Sequence, residues 1–430
     1  FNNLPTPVYQ QFIDNKNGLS FDSMVINLYQ TNGNILLNNQ DIAVGQGRLL
    51  QSGLWLNPNL ETEIGTNAII DRGNDYDVNL TYTHPIELFG KPGKRYKLAE
   101  LQLEALKNEV NFRNQQYISE IKSQYINTLI EAESLKIAEQ LLTLNTRLLK
   151  LTEARYTNGD TSKFDTNLIR IEVNRLKGQQ LLAENRVRSS LIKLKNLLGL
   201  DINNELKLSS KLFSTSLLPE KINLKNIQDI AVKNRFDFKA SVIIEEVSQA
   251  RITELEAEAN PNINVFGKYS RQKSTFDNTS VGNITDTDNT LTAGVSFDLP
   301  IFNRNQGNIM EAKALYKQSQ IRKELLEQEI KRDVTLAFNN MILARQAVLL
   351  FENQILKYAN ENLWITRQTY ELGEQALIFL MIEQTRMADI QKEFINVLRE
   401  YNFSIVDLEK VVSISINTII SELNLKGEKK

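Results

Sequence analysis

Three carboxylates, Asp160, Glu371 and Glu374, sit beside two glycines, Gly159 and Gly373, each of which follows a long stretch of helical periodicity. Acids at such turns act by attracting cations, and a ring of them repeated about an axis would favour cations at a pore mouth. The plainer reading is solvated charge at an exposed turn. Bond-making chemistry has little to work with. His84 is the sole histidine and cysteine is absent, so no imidazole cluster, thiolate set or Cys nucleophile is available. There is no Gly-x-Ser-x-Gly elbow, no Walker phosphate loop and no His-Glu-x-x-His. These absences point to a non-enzyme without cofactor or tight metal site.

Composition narrows the partners. Lys and Arg number 50 against 52 Asp and Glu, interspersed through 430 residues, which leaves no basic footprint for nucleic acid. The chain begins at Phe1 without methionine, as it would after removal of a leader. The longest apolar runs, such as Leu377 to Ile382, fall far short of the roughly 20 residues of a spanning helix, so no transmembrane helix is expected. A β-barrel strand crosses with about 9 to 11 alternating residues and escapes that test.

The elements that must position the turns appear twice. Arg155-Tyr156-Thr157-Asn158-Gly159 is answered by Thr369-Tyr370-Glu371-Leu372-Gly373, and 370 − 156 and 373 − 159 both give 214. Asn57-Pro58-Asn59-Leu60 is answered by Asn260-Pro261-Asn262-Ile263, and Pro85-Ile86 by Pro300-Ile301. The spacing predicts a tandem duplication, residues 1–215 and 216–430, rather than a short-period solenoid.

Apolar residues at three- and four-residue steps predict one long helix over about 92–156 and a second over about 307–370, each on the order of 90 Å long. Gly159 suits a left-handed turn, and Ser162 with Asp165 three positions on reads as an N-cap pair. Helical hairpins therefore span about 92–199, with a tip near 157–162, and about 307–413, with a tip near 371–376. After Gly373 the matching cap is lost. Single helices are also expected over about 20–52 and 223–259, and Trp55 and Trp364 read as packing anchors, Trp55 near enough to a strand to be interfacial.

Period-2 alternation predicts β-hairpins over about 60–84 and 262–299. In the first, Tyr76, Val78, Leu80 and Tyr82 alternate with polar residues. Residues 67–75 and 272–289 read as exposed polar loops, and Pro85 and Pro300 as strand ends. Two hairpins leave unpaired edges and too little core. Three copies would close four strands each into a twelve-stranded barrel, with the helical hairpins gathered into a tube.

Here the chain resembles the TolC family of trimeric outer-membrane efflux channels. The resemblance rests on Asn57 to Glu61, on Arg155-Tyr156, Gly159, Ser162 and Asp165, on Asn260-Pro261-Asn262, and on Val295-Ser296-Phe297-Asp298-Leu299-Pro300-Ile301-Phe302-Asn303-Arg304-Asn305-Gln306-Gly307. Glu87 with Gly93-Lys94-Arg95, and Phe302 to Gly307, resemble the branch serving heavy-metal exporters of the resistance-nodulation-division (RND) class. The resemblance implies a mainly α protein with a small transmembrane β part: a homotrimeric twelve-stranded barrel continued by a twelve-helix tube reaching into the periplasm. It implies a passive conduit for metal cations or drugs, with outer-membrane lipid, a periplasmic adaptor (membrane fusion protein) and an inner-membrane pump as partners. Tyr156, Gly159, Ser162, Asp165, Tyr370 and Gly373 would lie at adaptor-contacting tips, and Tyr76, Val78, Leu80 and Tyr82 would face lipid. The competing reading is a soluble coiled-coil adaptor or scaffold, which the helical hairpins alone would permit.

Overall fold

The computed structural model describes residues 7–66, 75–209, 212, 223–276, 282 and 284–427. They fall into two compact units: Phe1–Gln40 with Glu109–Phe238 and Leu326–Lys430, and Asp41–Asn108 with Lys239–Leu325.

The elements run α1 (Phe21–Thr31), α2 (Gly33–Ser52), β1 (Asn59–Thr66), β2 (Tyr76–Ile86), α3 (Lys91–Thr157) and α4 (Lys163–Leu198). They continue with α5 (Leu224–Asn234), α6 (Phe236–Glu258), β3 (Ile263–Phe276), β4 (Ile284–Ser296), α7 (Gln306–Leu350), α8 (Leu356–Glu371), α9 (Leu377–Val412) and α10 (Ile416–Gly427). Proline at the second position of α3 costs nothing, because its missing N–H would have no helical partner there. The stretch that follows has neither proline nor, beyond Gly93, glycine, and α3 runs unbroken for 67 residues.

The first unit has three apolar clusters. Ile121, Leu129 and Ile130 of α3 pack with Val187, Leu191 and Leu194 of α4 and with Met24, Leu28 and Ile35 of α1 and α2. Ile330, Val334, Met341 and Val348 of α7 pack with Tyr401, Ile405 and Leu408 of α9, Ile227 and Ile230 of α5, and Ile416 of α10. The third, described below, lies beside the turns. The other unit carries the sheet and a smaller cluster of Ile252, Leu255 and Ala312.

Three expected element bounds are corrected, and the second long helix, continuous over Gln306–Glu371, has one irregular turn. The helices expected over 20–52 and 223–259 each break once. Asn32 adopts an extended backbone, its Oδ1 accepts the amides of Asn34 and Ile35, and its Nδ2 donates to the Leu197 carbonyl at 2.9 Å. Arg235 is extended too, its guanidinium forked on the Asp237 carboxylate at 3.0 and 2.6 Å, and it is Asp237 Oδ1 that accepts the Phe238 amide at 2.9 Å. Side chains that cap backbone groups compete with helix continuation, and apolar periodicity does not register them. The second long helix contains a π-turn, Phe351–Ile355, where the Phe351 ring stacks on Phe394 at 6.0 Å. The loop expected over 272–289 is largely strand: β3 continues to Phe276 and β4 begins at Ile284. Over residues 272–275 and 285–289 both faces are polar, so alternation vanishes although the backbone pairing persists. Most of the other expected loop, residues 67–74, lies outside the described residues.

One stretch, Gln306–Glu371, is long and apolar enough to cross a membrane by length and composition, where no such helix was expected. Val334, Ala337, Met341 and Val348 lie within it and are buried in the second cluster, while Leu336, Leu343 and Leu350 of the same stretch are exposed.

The sheet is antiparallel throughout, in the order β1-β2-β3-β4. Pro85 lies inside β2 rather than after it. It sits beyond Thr83, where β1 ends, so its missing N–H costs no bond on that side.

Candidate functional site

The register sorts every strand residue onto one of two faces. One face aligns Leu60, Tyr82, Gly267 and Ala293, then Thr62, Leu80, Tyr269 and Leu291, then Ile64, Val78, Arg271 and Asn289, then Thr66, Tyr76, Lys273 and Thr287, with Val265 and Val295 nearer the helices. The other aligns Glu61, Thr81, Lys268 and Thr292, then Glu63, Asn79, Ser270 and Thr290, then Asp77, Gln272 and Asp288. Tyr76, Val78, Leu80 and Tyr82 thus share the apolar face. Ile64 is 74% exposed, Leu291 82% and Leu80 40%, although a face of this composition ordinarily seeks cover. On the polar face Ser270 Oγ donates to Asn79 Oδ1 at 2.7 Å and Asn79 Nδ2 to Asp77 at 2.9 Å. Phe266 lies over Gly294, where any Cβ would meet the ring at 2.5 Å.

Where strands give way to helices, α3 staples the unit together. Lys91 Nζ donates to the Asn260 carbonyl and to Asn262 Oδ1, both at 2.6 Å. Burial pushes its ammonium pKa down, against the pull of Glu87 and Glu258. One turn on, Arg95 grips Glu87 at 2.7 and 3.2 Å and donates to the carbonyls of Ser52 and Leu54. That carboxylate raises the guanidinium pKa further and keeps it charged. Asn305 takes a left-handed backbone, φ 60°, and donates to the Leu255 carbonyl at 3.1 Å, while Asn303 Oδ1 and Gln306 Oε1 accept the amides of Asn305 and Arg304. The two motifs that resemble a metal-exporting branch are thereby occupied in building the junction. Lys91 was missed in the sequence; its signal is the spacing Lys91-Arg95, one helical turn, beside the Asn-Pro-Asn segment that Lys91 binds.

The turns sit in the other unit. Gly159 and Gly373 adopt φ 84° and 80°, and both close the same way: the Asp160 amide donates to the Arg155 carbonyl at 2.8 Å, the Glu374 amide to Thr369 at 2.9 Å. Ser162 Oγ accepts the Asp165 amide at 3.1 Å, with Ser162 and Thr161 hydroxyls donating back to the Asp165 carboxylate. Ala376, in the equivalent place, makes no side-chain cap. The turns touch. Arg155 donates to the Glu371 carbonyl at 3.1 Å and lies 5.0 Å from the centroid of the Tyr370 ring.

Tyr156 is 44% exposed and its repeat partner Tyr370 only 5%, held in a cluster with Leu148, Ile169, Leu377 and Leu380. This corrects the expectation for Tyr370: its ring packs the hairpins together and offers a partner little surface. Glu371 is engaged by Arg367 at 2.9 Å, whereas Asp160 and Glu374 are exposed. Trp364 is also corrected. It is 63% exposed and lines a groove of about 600 Å³ with Leu144, Leu151, Leu363 and Leu380 instead of anchoring a core. Trp55 is 67% exposed.

Comparison with known proteins agrees with this geometry. The outer membrane protein TolC of Vibrio cholerae is 21% identical over 292 residues, a match covering 66% of this chain and 65% of that relative. Among solved structures, CusC superposes with a TM-score of 0.72 at 15% identity, over 96% of this chain and 95% of the other. The open state of the Neisseria gonorrhoeae MtrE outer membrane channel gives 0.69 at 14% identity, over 92% and 89%. At these identities the structures speak to the fold. The sequence pattern of one family, described as outer membrane efflux protein, matches residues 55–200 and 228–412, and since that is most of the sequence, this chain belongs to the outer membrane efflux protein family.

Proposed function

We propose that three copies of this chain form an outer-membrane channel, a passive conduit through which an efflux system passes its substrate from periplasm to exterior. The observation that carries the reading is the sheet: four strands with an exposed apolar face, an opposite face of carboxylates, amides and hydroxyls, and outer edges on β1 and β4 that pair with no further strand among the described residues. Spanning strands must satisfy every backbone group, and closing three such sheets edge to edge into twelve strands does so with lipid outside and water inside. A soluble coiled-coil scaffold has no use for such a face.

In this reading the halves 1–215 and 216–430 each supply one strand hairpin to the barrel and one helical hairpin to a twelve-helix tube in the periplasm. Tyr156, Gly159, Ser162, Asp165 and Gly373 form the rim that meets a periplasmic adaptor, itself joined to an inner-membrane pump of the RND class. Tyr370 supports that rim from beneath. The cargo is a metal cation or a drug, and the conduit performs no chemistry on it. Mass spectrometry of the detergent-extracted protein should give three times 49.3 kDa, and planar bilayers should show unitary conductance steps. A monomer released without detergent that conducts nothing would overturn the proposal.

A further inference from the structure

Charge is unevenly divided between the two faces of the sheet. All five carboxylates of the described strands, Glu61, Glu63, Asp77, Asp286 and Asp288, fall on the polar face, with Lys268. Among the described residues the apolar face carries two charged side chains, Arg271 opposite Val78 and Lys273 opposite Tyr76. Both lean on one ring: the Arg271 guanidinium lies 6.0 Å and the Lys273 ammonium 5.8 Å from the centroid of Tyr76. Neither has a carboxylate within ion-pair distance among the described residues.

Their height along the strands is as informative as their sign. β2 enters α3 just beyond Ile86, so Tyr76 is at the end of the strand remote from the helices. A cation at the midplane of a barrel's lipid face costs about 2 to 4 kcal/mol, but close to nothing at the interface. Long basic side chains there extend to the headgroups, and tyrosine prefers the same level. With no carboxylate partner among the described residues, and with Asn289, Thr287 and Thr66 as uncharged neighbours at the remote end of the apolar face, these two cations call for an anion supplied by the surroundings. A guanidinium fork is suited to phosphate oxygens and an ammonium adds a second point of charge.

We propose that Tyr76, Arg271 and Lys273 form a binding site for the phosphate-bearing headgroup of a lipid in the outward-facing leaflet. The proposal rests on the channel reading above, because it requires the apolar face to lie against lipid. It names a specific lipid partner for three positions on that face rather than a general lipid contact.

Native mass spectrometry of the detergent-extracted full-length protein tests it, with lipid A, the same lipid with its phosphates removed, and inorganic phosphate as probes. The unaltered protein should retain phosphorylated lipid A at least tenfold better than the dephosphorylated form. Arg271→Gln with Lys273→Gln should abolish that preference, and Lys268→Gln, on the opposite face, should leave it intact. The single variants, each expected to weaken retention about threefold, are read separately should the double variant not assemble. Equal retention of both lipids by the unaltered assembly overturns the site, as does an undiminished preference in the variants. Binding of inorganic phosphate without lipid preference overturns it in favour of a free-anion site. Absence of any three-chain assembly in the unaltered protein instead removes the channel reading, and is told apart by mass alone.

Discussion

Arg155 joins the two turns through a single carbonyl and a single ring, so its loss should be felt at both. Cation–π and charge-assisted contacts at partly exposed sites are worth about 0.5 to 2 kcal/mol each. Arg155→Ala is expected to lower stability by about 1 to 2 kcal/mol and to raise amide hydrogen exchange around Leu372 as well as Asn158, seen by mass spectrometry. Exchange confined to the first turn would contradict the coupling. A reciprocal pair tests the caps: Ser162→Ala should cost about 1 kcal/mol, while Ala376→Ser should gain up to about as much by supplying the cap that α9 lacks. Thermal unfolding reads both. Ser162, Asp165 and the two glycines were legible in the sequence because caps and left-handed turns demand particular residue types. The opposite fates of Tyr156 and Tyr370 were not, since identical residues in identical turns differ only in what packs against them. Arg155 belongs to the turn motif, but its reach to Glu371 joins residues 216 positions apart, and no local pattern encodes that.

At the scale of elements, the helices follow their apolar stripes and the strands their alternation, except where polar side chains intervene. Asn32 and Arg235 break helices that periodicity would continue, and the outer reaches of β3 and β4 pair through backbone while both faces turn polar. The inner part of the sheet offers the sharpest test. Leu80 lies on the apolar face, flanked across the ladder by Thr62 and Tyr269. Leu80→Arg is expected to cost about 2 to 4 kcal/mol if that face meets the bilayer midplane, measured as the shift in urea midpoint during refolding into vesicles. Thr81→Arg, on the polar face, should cost far less. Equal costs would mean that neither face meets lipid.

For the whole molecule the question is what a tube of three copies would favour. Asp160 and Glu374 are exposed beside the turns, and three copies of either would ring the mouth, whereas Glu371 already has Arg367. Glu374→Gln should therefore reduce cation over anion preference in bilayer recordings, and Glu371→Gln should change it less. An unchanged reversal potential in Glu374→Gln would leave selectivity to the carboxylates of the sheet. The substrate was not legible in the sequence, for a physical reason: the residues that suggest a metal-exporting branch, Glu87 with Arg95 and Asn303 to Gln306, are spent on holding strands to helices.

That junction also has a consequence for how the chain folds. The central seam of the sheet joins Ile86 to Ile263, closing a loop that includes α3 to α6, and for a flexible chain of that length closure costs on the order of 5 kcal/mol. The two strand hairpins are local, whereas pairing one with the other bears the closure cost of the long loop between them. Lys91, bonded across the gap to Asn260 and Asn262 at the root of β3, brings β2 and β3 into register at their base. Zippering is then expected to run outward from the staple, with the strand ends remote from Lys91 the last part of the sheet to be made.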